Sequence, residues 1–282
     1  MASQLPPSEQ DISVTDQPPE QRGVWSRTRG RTHVFWDILF TLIRGIGSHA
    51  HNFYATFGLF LVAGAVVALG GTYAFALFAG HVSSGATQAF DESVLRWISE
   101  HRSPRLEPIM LEITLLGTGS VALMMVAVSG MFLWLSNHKY SAALLLVATT
   151  GGILLNNLLK VGFGRPRPQL FDWGVEVVSW SFPSGHAMSA AVVYGTVAYL
   201  AARLQRRVLH RAVTLTIAGI LIVLISISRL YLGVHYPSDV LAGVIIGLAW
   251  AGFCMATLEA IQLYGKRRAP QVERNEEPAP NP

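Results

Sequence analysis

Three short stretches in the second half of the chain carry residues able to do chemistry: KVGFGRPRP (Lys160 to Pro168), PSGH (Pro183 to His186) and SRLYLGVHYPSD (Ser228 to Asp239). Lys160, Arg167 and Arg229 supply fixed positive charge and planar donor forks, the usual means of holding a phosphate and stabilising charge that develops as it is transferred. Ser184 stands where a helix N-cap would, and Gly185 after it lets a dianion approach free backbone N–H groups at the positive end of a helix. His186 and His235 can divide the remaining labour, one attacking phosphorus and the other protonating the departing oxygen. Asp239, one helical turn beyond His235, can hold that imidazole in one tautomer and stabilise its cationic form. Singly, each stretch also has an ordinary reading as a helix start, a set of interfacial anchors or a structural i,i+4 pair. Chemistry requires that the three meet, so the elements that carry them decide the matter.

Those elements follow from composition. Of 282 residues, 51% are hydrophobic and only 13% charged, the balance of an integral membrane protein. Runs of lipid-spanning length fall near 55–79, 109–135, 142–159, 184–204, 212–230 and 239–263. The expected fold is therefore all-α, a bundle of six transmembrane helices. Segment 86–101 adds an amphipathic helix for the outer interface, with Phe90, Val94, Trp97 and Ile98 on one face. The expected organisation is a cytoplasmic, largely disordered tail at 1–52, a six-helix domain at 53–265 and a second disordered cytoplasmic tail at 266–282. The first apolar run begins near Phe53, so it is expected to act as a signal anchor without cleavage. Cys254, the single cysteine, falls in the sixth run, which excludes disulfides and cysteine-based metal sites.

The net charge of +4 reads as a topology signal, with no nucleic-acid partner implied. With both termini inside, 14 of the 21 Lys and Arg residues lie in inner segments, and the other seven fall at outer ends or loops. Lys160 then ends the third span, PSGH opens the fourth, Arg229 ends the fifth, and His235 and Asp239 straddle the start of the sixth, where Pro237 suits the first turn. All three stretches reach one face, the extracytoplasmic one. The lack of an Asn-x-Ser/Thr sequon and the short loop between the first two stretches point to a bacterial inner membrane.

With order, spacing and flanking spans in agreement, Lys-x6-Arg-Pro, Pro-Ser-Gly-His and Ser-Arg-x5-His-x3-Asp resemble the three signature motifs of the type 2 phosphatidic acid phosphatase superfamily. The resemblance runs from about Phe53 to Leu263. It implies a membrane phosphatase of six helices acting on a lipid phosphate or isoprenyl diphosphate: phosphatidylglycerophosphate, phosphatidic acid or undecaprenyl diphosphate. Carried over, Lys160, Arg167, Ser184, the Gly185 backbone and Arg229 bind the phosphoryl group. His235 is the nucleophile that passes through a phosphohistidine, Asp239 orients it, and His186 is the general acid. No metal or other cofactor is implied, and no obligate protein partner beyond the lipid substrate and the membrane. A lipid phosphotransferase would use the same residues, and an anion or lipid transporter would use the cations but gives no reason for His235 beside Asp239. A soluble haloperoxidase, another relative of the family, would have no use for six lipid-length runs.

The remaining polar residues are expected to be structural. Asn156 and Asn157 suit interhelical hydrogen bonds, Glu112 and Glu259 the membrane interface, and Gly243 with Gly247 close helix packing. Asp172, Trp173 and Glu176 sit in the loop between the first two motifs, where a substrate would enter. Because His186 must be protonated and His235 neutral, the pH profile of turnover is expected to be a bell with both limbs set by histidine-like groups.

Overall fold

The computed structural model describes residues 53–170 and 179–275; the expected N-terminal tail, the loop residues Asp172, Trp173 and Glu176, and positions 276–282 lie outside them. Among the described residues every regular element is an α-helix: α1 (Phe53–Ser83), α2 (Gln88–Glu100), α3 (Leu106–Leu115), α4 (Gly119–Leu135), α5 (Lys139–Phe163), α6 (Gly185–Leu204), α7 (Val208–Tyr231) and α8 (Pro237–Asn275). Among the described residues five helices are long and apolar enough to cross a bilayer alone, and the bent pair α3 with α4 counts as a sixth when taken as one span. The protein is an integral membrane helical bundle.

That sixth span departs from the sequence expectation of one helix over 109–135. It bends by 47° between α3 and α4, because Leu116-Gly117-Thr118 interrupts the helix and Thr118 adopts an extended conformation (φ −70°, ψ 152°). A break at membrane depth frees carbonyl oxygens that lipid cannot satisfy. Here the Thr118 hydroxyl donates to Leu115 O at 2.6 Å, and the Tyr194 hydroxyl of α6 donates to Leu116 O at 2.8 Å.

α6 is the central helix. Sixty-one per cent of its apolar window is buried and its mean hydropathy is only 1.3, whereas α7 is 28% buried with a mean hydropathy of 2.2. A helix walled in by protein need not be lipid-soluble around its circumference, and small side chains let its neighbours close in. Ala187, Ala190, Ala191, Ala198 and Ala202 are all buried on it. Around its middle, Leu145 and Ala148 of α5, Val192 and Val193 of α6, and Cys254 and Leu258 of α8 form one core. The closest approach is to α8. A Cβ built on Gly243 would lie 2.6 Å from the Ser184 carbonyl oxygen, and one on Gly247 would lie 2.9 Å from Met188 O, so this glycine pair serves helix packing as the sequence suggested.

At the far end of the same helix pair the partly exposed Glu259 is ion-paired. It accepts from the Tyr199 hydroxyl and pairs with Arg203 Nε at 3.2 Å, since a carboxylate at this depth is cheaper paired than turned to lipid. Glu112 is exposed. On α2, Phe90 and Trp97 project outward as an interfacial helix requires, while Leu95 and Asp91 are fully buried on its inner side.

The packing of α8 on α6 yields a prediction. Gly243→Val forces backbone, not a flexible side-chain tip, to move, and overpacking of this kind costs about 1–3 kcal/mol. The variant is expected to melt at a lower temperature than wild type in detergent; an unchanged midpoint would show that the two helices can separate freely.

Candidate active site

Successive antiparallel spans bring alternate helix ends together. The last turn of α5 carries Lys160, the first turn of α6 His186, the last turn of α7 Arg229 and the first turn of α8 Asp239. Arg165 and Arg167 follow α5, Ser184 directly precedes α6, and His235 lies in the short link between α7 and α8. With Gly185, the first residue of α6, all eight residues singled out in the sequence therefore sit at one end of the bundle.

His235 is 1% exposed. Its Nε2 lies 3.2 Å from Arg167 Nη1. A guanidinium can only donate, so Nε2 carries the lone pair and Nδ1 the proton. Nδ1 faces Asp239 Oδ2 at 3.5 Å and Ser181 Oγ at 3.3 Å. The Ser181 hydroxyl in turn donates to Asp239 Oδ2, which also accepts the Tyr236 N–H at 2.9 Å. Burial pushes the His235 pKa down to about 3, with Arg167 and Arg229 acting in the same direction and Asp239 against it, so the ring is neutral throughout the physiological range.

The cations surround this ring. Arg167 donates from Nε to Ser179 O at 2.7 Å and from Nη1 to Val234 O at 2.6 Å. Burial lowers its pKa to about 10, which leaves it charged at neutral pH. Lys160 Nζ donates to Ser179 Oγ at 3.3 Å and to the Trp180 carbonyl, which Arg167 Nη2 also reaches at 3.3 Å. Arg229 is anchored by Nη1 on the Thr114 hydroxyl of α3 at 2.6 Å, and its Nε has no partner among the described residues.

Ser184 occupies the N-cap position of α6, yet its hydroxyl caps nothing; it is buried and has no partner among the described residues. The serine N–H is held by Asp239 O at 2.9 Å. The N–H groups of Gly185, His186 and Ala187 lie in the first turn, where no helical carbonyl precedes them. His186 lies within electrostatic reach of Arg229, His235, Arg167 and Lys160. It packs under the α3–α4 break, where a Cβ on Gly117 would come within 3.1 Å of its Cδ2. The arrangement offers a neutral imidazole lone pair beside a free hydroxyl, a helix mouth and several fixed cations, the components of an oxyanion site. Among the described residues no group of three His, Cys, Asp or Glu side chains gathers as a metal site would require.

Sequence reasoning missed a second tier. Asp91 of α2 is fully buried. It accepts from Arg165 Nη2 at 2.9 Å and from Ser238 N at 3.0 Å. Arg165 Nη1 meanwhile reaches Asp239 Oδ1 at 2.6 Å and Ser238 Oγ at 2.8 Å, and its guanidinium stacks 4.2 Å from the Tyr236 ring. Asp91 reads in sequence as one more charge on the wet side of an amphipathic helix. Arg165 stands two residues from Arg167 with nothing local to say which of them faces the imidazole.

Comparison with known proteins agrees with this geometry. Residues 141–262 match the PAP2 superfamily, a range that includes every expected site residue. The chain is 37% identical over 175 residues to phosphatidylglycerophosphatase B of Bacillus subtilis, covering 62% of this chain and 86% of that protein. It is 38% identical over 82 residues to an undecaprenyl-diphosphatase of Sulfolobus acidocaldarius, a match covering 29% of this chain and 34% of that one. The crystal structure of a transmembrane PAP2 type phosphatidylglycerolphosphate phosphatase from Bacillus subtilis superposes with a TM-score of 0.65 at 32% identity, covering 70% of this chain and 98% of that one. A relative matched over most of its length, a bundle that superposes on a solved member and three motifs meeting at one end lead to one conclusion: the chain belongs to the PAP2 superfamily.

Proposed function

We propose that this chain is a lipid phosphatase that removes the terminal phosphate of a lipid phosphate or isoprenyl diphosphate at the extracytoplasmic surface, through a phosphohistidine on His235. The observation that carries this reading is the neutral His235, its Nε2 lone pair beside Arg167 and its Nδ1 facing Asp239 and Ser181. Similarity to phosphatidylglycerophosphatase B and to an undecaprenyl-diphosphatase supports the substrate classes. The extracytoplasmic placement is supported by Lys139, Arg203, Arg206, Arg207 and Arg211, all of which lie at helix ends opposite the site.

In this mechanism Nε2 attacks phosphorus as the bond to the bridging oxygen breaks, and His186 gives its proton to that oxygen. The ring of His235 becomes cationic on phosphorylation, and its Nδ1–H is stabilised by Asp239 with Ser181. Lys160, Arg167, Arg229, the Ser184 hydroxyl and the Gly185 N–H take the charge on the phosphoryl oxygens. The carbonyl oxygens of Ser179 and Trp180 hold the Lys160 and Arg167 donors that phosphoryl oxygens would claim. Water then attacks the phosphohistidine, the N–P bond breaks, and His186 recovers its proton from that water as phosphate leaves.

Detergent-purified protein with excess EDTA is expected to release phosphate from members of a panel of lipid phosphates and isoprenyl diphosphates. His235→Ala should reduce kcat by about three orders of magnitude or more. Persistent release by the variant would remove the phosphohistidine, and phosphate appearing on a lipid hydroxyl instead of free would indicate phosphotransfer.

The depressed pKa of His235 alters the pH expectation drawn from sequence. The ring must be neutral to attack, and at a pKa of about 3 it stays neutral far below the ordinary histidine value of about 6.5. Its acid limb therefore moves down. Histidine 15N NMR of the free protein should show one ring, missing in His235→Gln, that does not titrate between pH 8 and 5; protonation of that ring near 6.5 would contradict the burial argument.

Asp91→Asn removes one of the two carboxylates that fix Arg165. Breaking a buried pair is costly, and the looser Arg165 should let Asp239 drift from His235. A fall in kcat of about 10- to 100-fold with little change in KM is expected; equal kcat in variant and wild type would make Asp91 irrelevant to the reaction.

A further inference from the structure

Below His186 the bundle is not closed. A cavity of about 170 Å³ lies between α5, α6 and the break joining α3 to α4, bordered by Gly117, Thr149, Asn156, Asn157, His186 and Ser189. Ile153, Val192 and Val193 add an aliphatic part to its lining.

The polar side chains are the unexpected part of this wall. Thr149 is only 5% exposed and its hydroxyl has no hydrogen-bond partner among the described residues, although a lone polar group away from water is costly to bury. Asn157 is exposed within a membrane span and has no partner among the described residues. Asn156 makes the interhelical contact expected of it, donating Nδ2 to Met188 Sδ at 3.4 Å, and keeps its remaining amide atoms beside the cavity. Together these groups form a polar ladder facing a cavity at the depth of the outer leaflet.

The position of the cavity says what would occupy it. In an in-line displacement the nucleophile and the leaving oxygen lie on opposite sides of phosphorus. The cavity borders His186, the proton donor to the leaving oxygen, and not His235. The carbon skeleton of the leaving alcohol therefore enters here. Asn157 and Thr149 are eight residues apart on α5, roughly 12 Å along the helix. Glycerol with its acyl esters presents carbonyl acceptors over such a length, whereas an isoprenyl chain presents none.

We infer that this cavity is a subsite for the ester-linked glycerol of a glycerolipid phosphate, with the Thr149 hydroxyl and the Asn157 amide donating to acyl carbonyl oxygens. The inference rests on the phosphatase reading with His186 as the acid, and it selects glycerolipid phosphates over isoprenyl diphosphates as the preferred class.

The test compares a diacyl phosphatidate with its dialkyl ether analogue of equal chain length, and both with farnesyl diphosphate, in mixed micelles. Wild type, Thr149→Val and Asn157→Leu are assayed for kcat/KM. Replacing an unpartnered hydroxyl by a methyl group should leave the fold intact, which a melting curve checks. Wild type is expected to favour ester over ether, and each substitution to shrink that ratio by about 3- to 10-fold, the worth of a neutral hydrogen bond. An ester-to-ether ratio near one in wild type, an equal loss on both lipids in the variants, or faster hydrolysis of the farnesyl substrate overturns the subsite. Absence of phosphate release from all three by wild type is a separate result: it overturns the phosphatase reading and the subsite with it.

Discussion

A carboxylate without solvent at the edge of a bilayer must find its compensation within the protein, and the arrangement around Asp239 follows from that demand. Its two oxygens receive Arg165, the Tyr236 N–H and the Ser181 hydroxyl, with His235 Nδ1 at 3.5 Å. Arg165 in turn needs more than one counter-charge at such depth, and the fully buried Asp91 completes the pair. One ion network thus joins the interfacial α2, the chain after α5 and the start of α8. Such networks contribute little net stability, because desolvation offsets attraction, but they cannot tolerate loss of a single member. Their value here is positional.

The balance of charge around this network has a direction. Asp91 and Asp239 face Arg165, Arg167, Lys160 and Arg229, so the site holds more fixed positive charge than negative. Backbone carbonyl dipoles of Ser179 and Trp180, and the Thr114 hydroxyl, occupy part of the excess. Neutral acceptors are weak competitors for a phosphoryl dianion, which brings full charge to the same donors. Burial of His235 belongs to the same design, since a protonated ring among these cations would be repelled by them.

Lipid imposes a second set of conditions. The central α6 can be poor in large apolar residues because protein surrounds it, and its alanines permit the close approach that seats Ser184 against the first turn of α8. The break between α3 and α4 would be prohibitive in hydrocarbon, yet Tyr194 and Thr118 satisfy the exposed carbonyls. The same break brings Gly117 against His186 and supplies one wall of the cavity beneath it. An irregularity of backbone in the second span thereby shapes the surroundings of a residue in the fourth.

Sequence by itself determined the number of spans, because crossing a bilayer takes a length of apolar chain that few soluble segments contain. It also determined that Lys160, His186, Arg229 and Asp239 share one face, since antiparallel succession leaves the end of one span beside the start of the next. Residue type and spacing were enough to name the family. Tertiary structure alone decided which of Arg165 and Arg167 meets His235, that Asp91 is buried, that Glu259 turns to Arg203, and that the second span is broken. Hydropathy and periodicity report which face of a helix is apolar and carry no record of the element it meets. A buried ion pair between residues 91 and 165 leaves no trace in either local sequence, and an unpartnered Thr149 is visible only once its neighbours are in place.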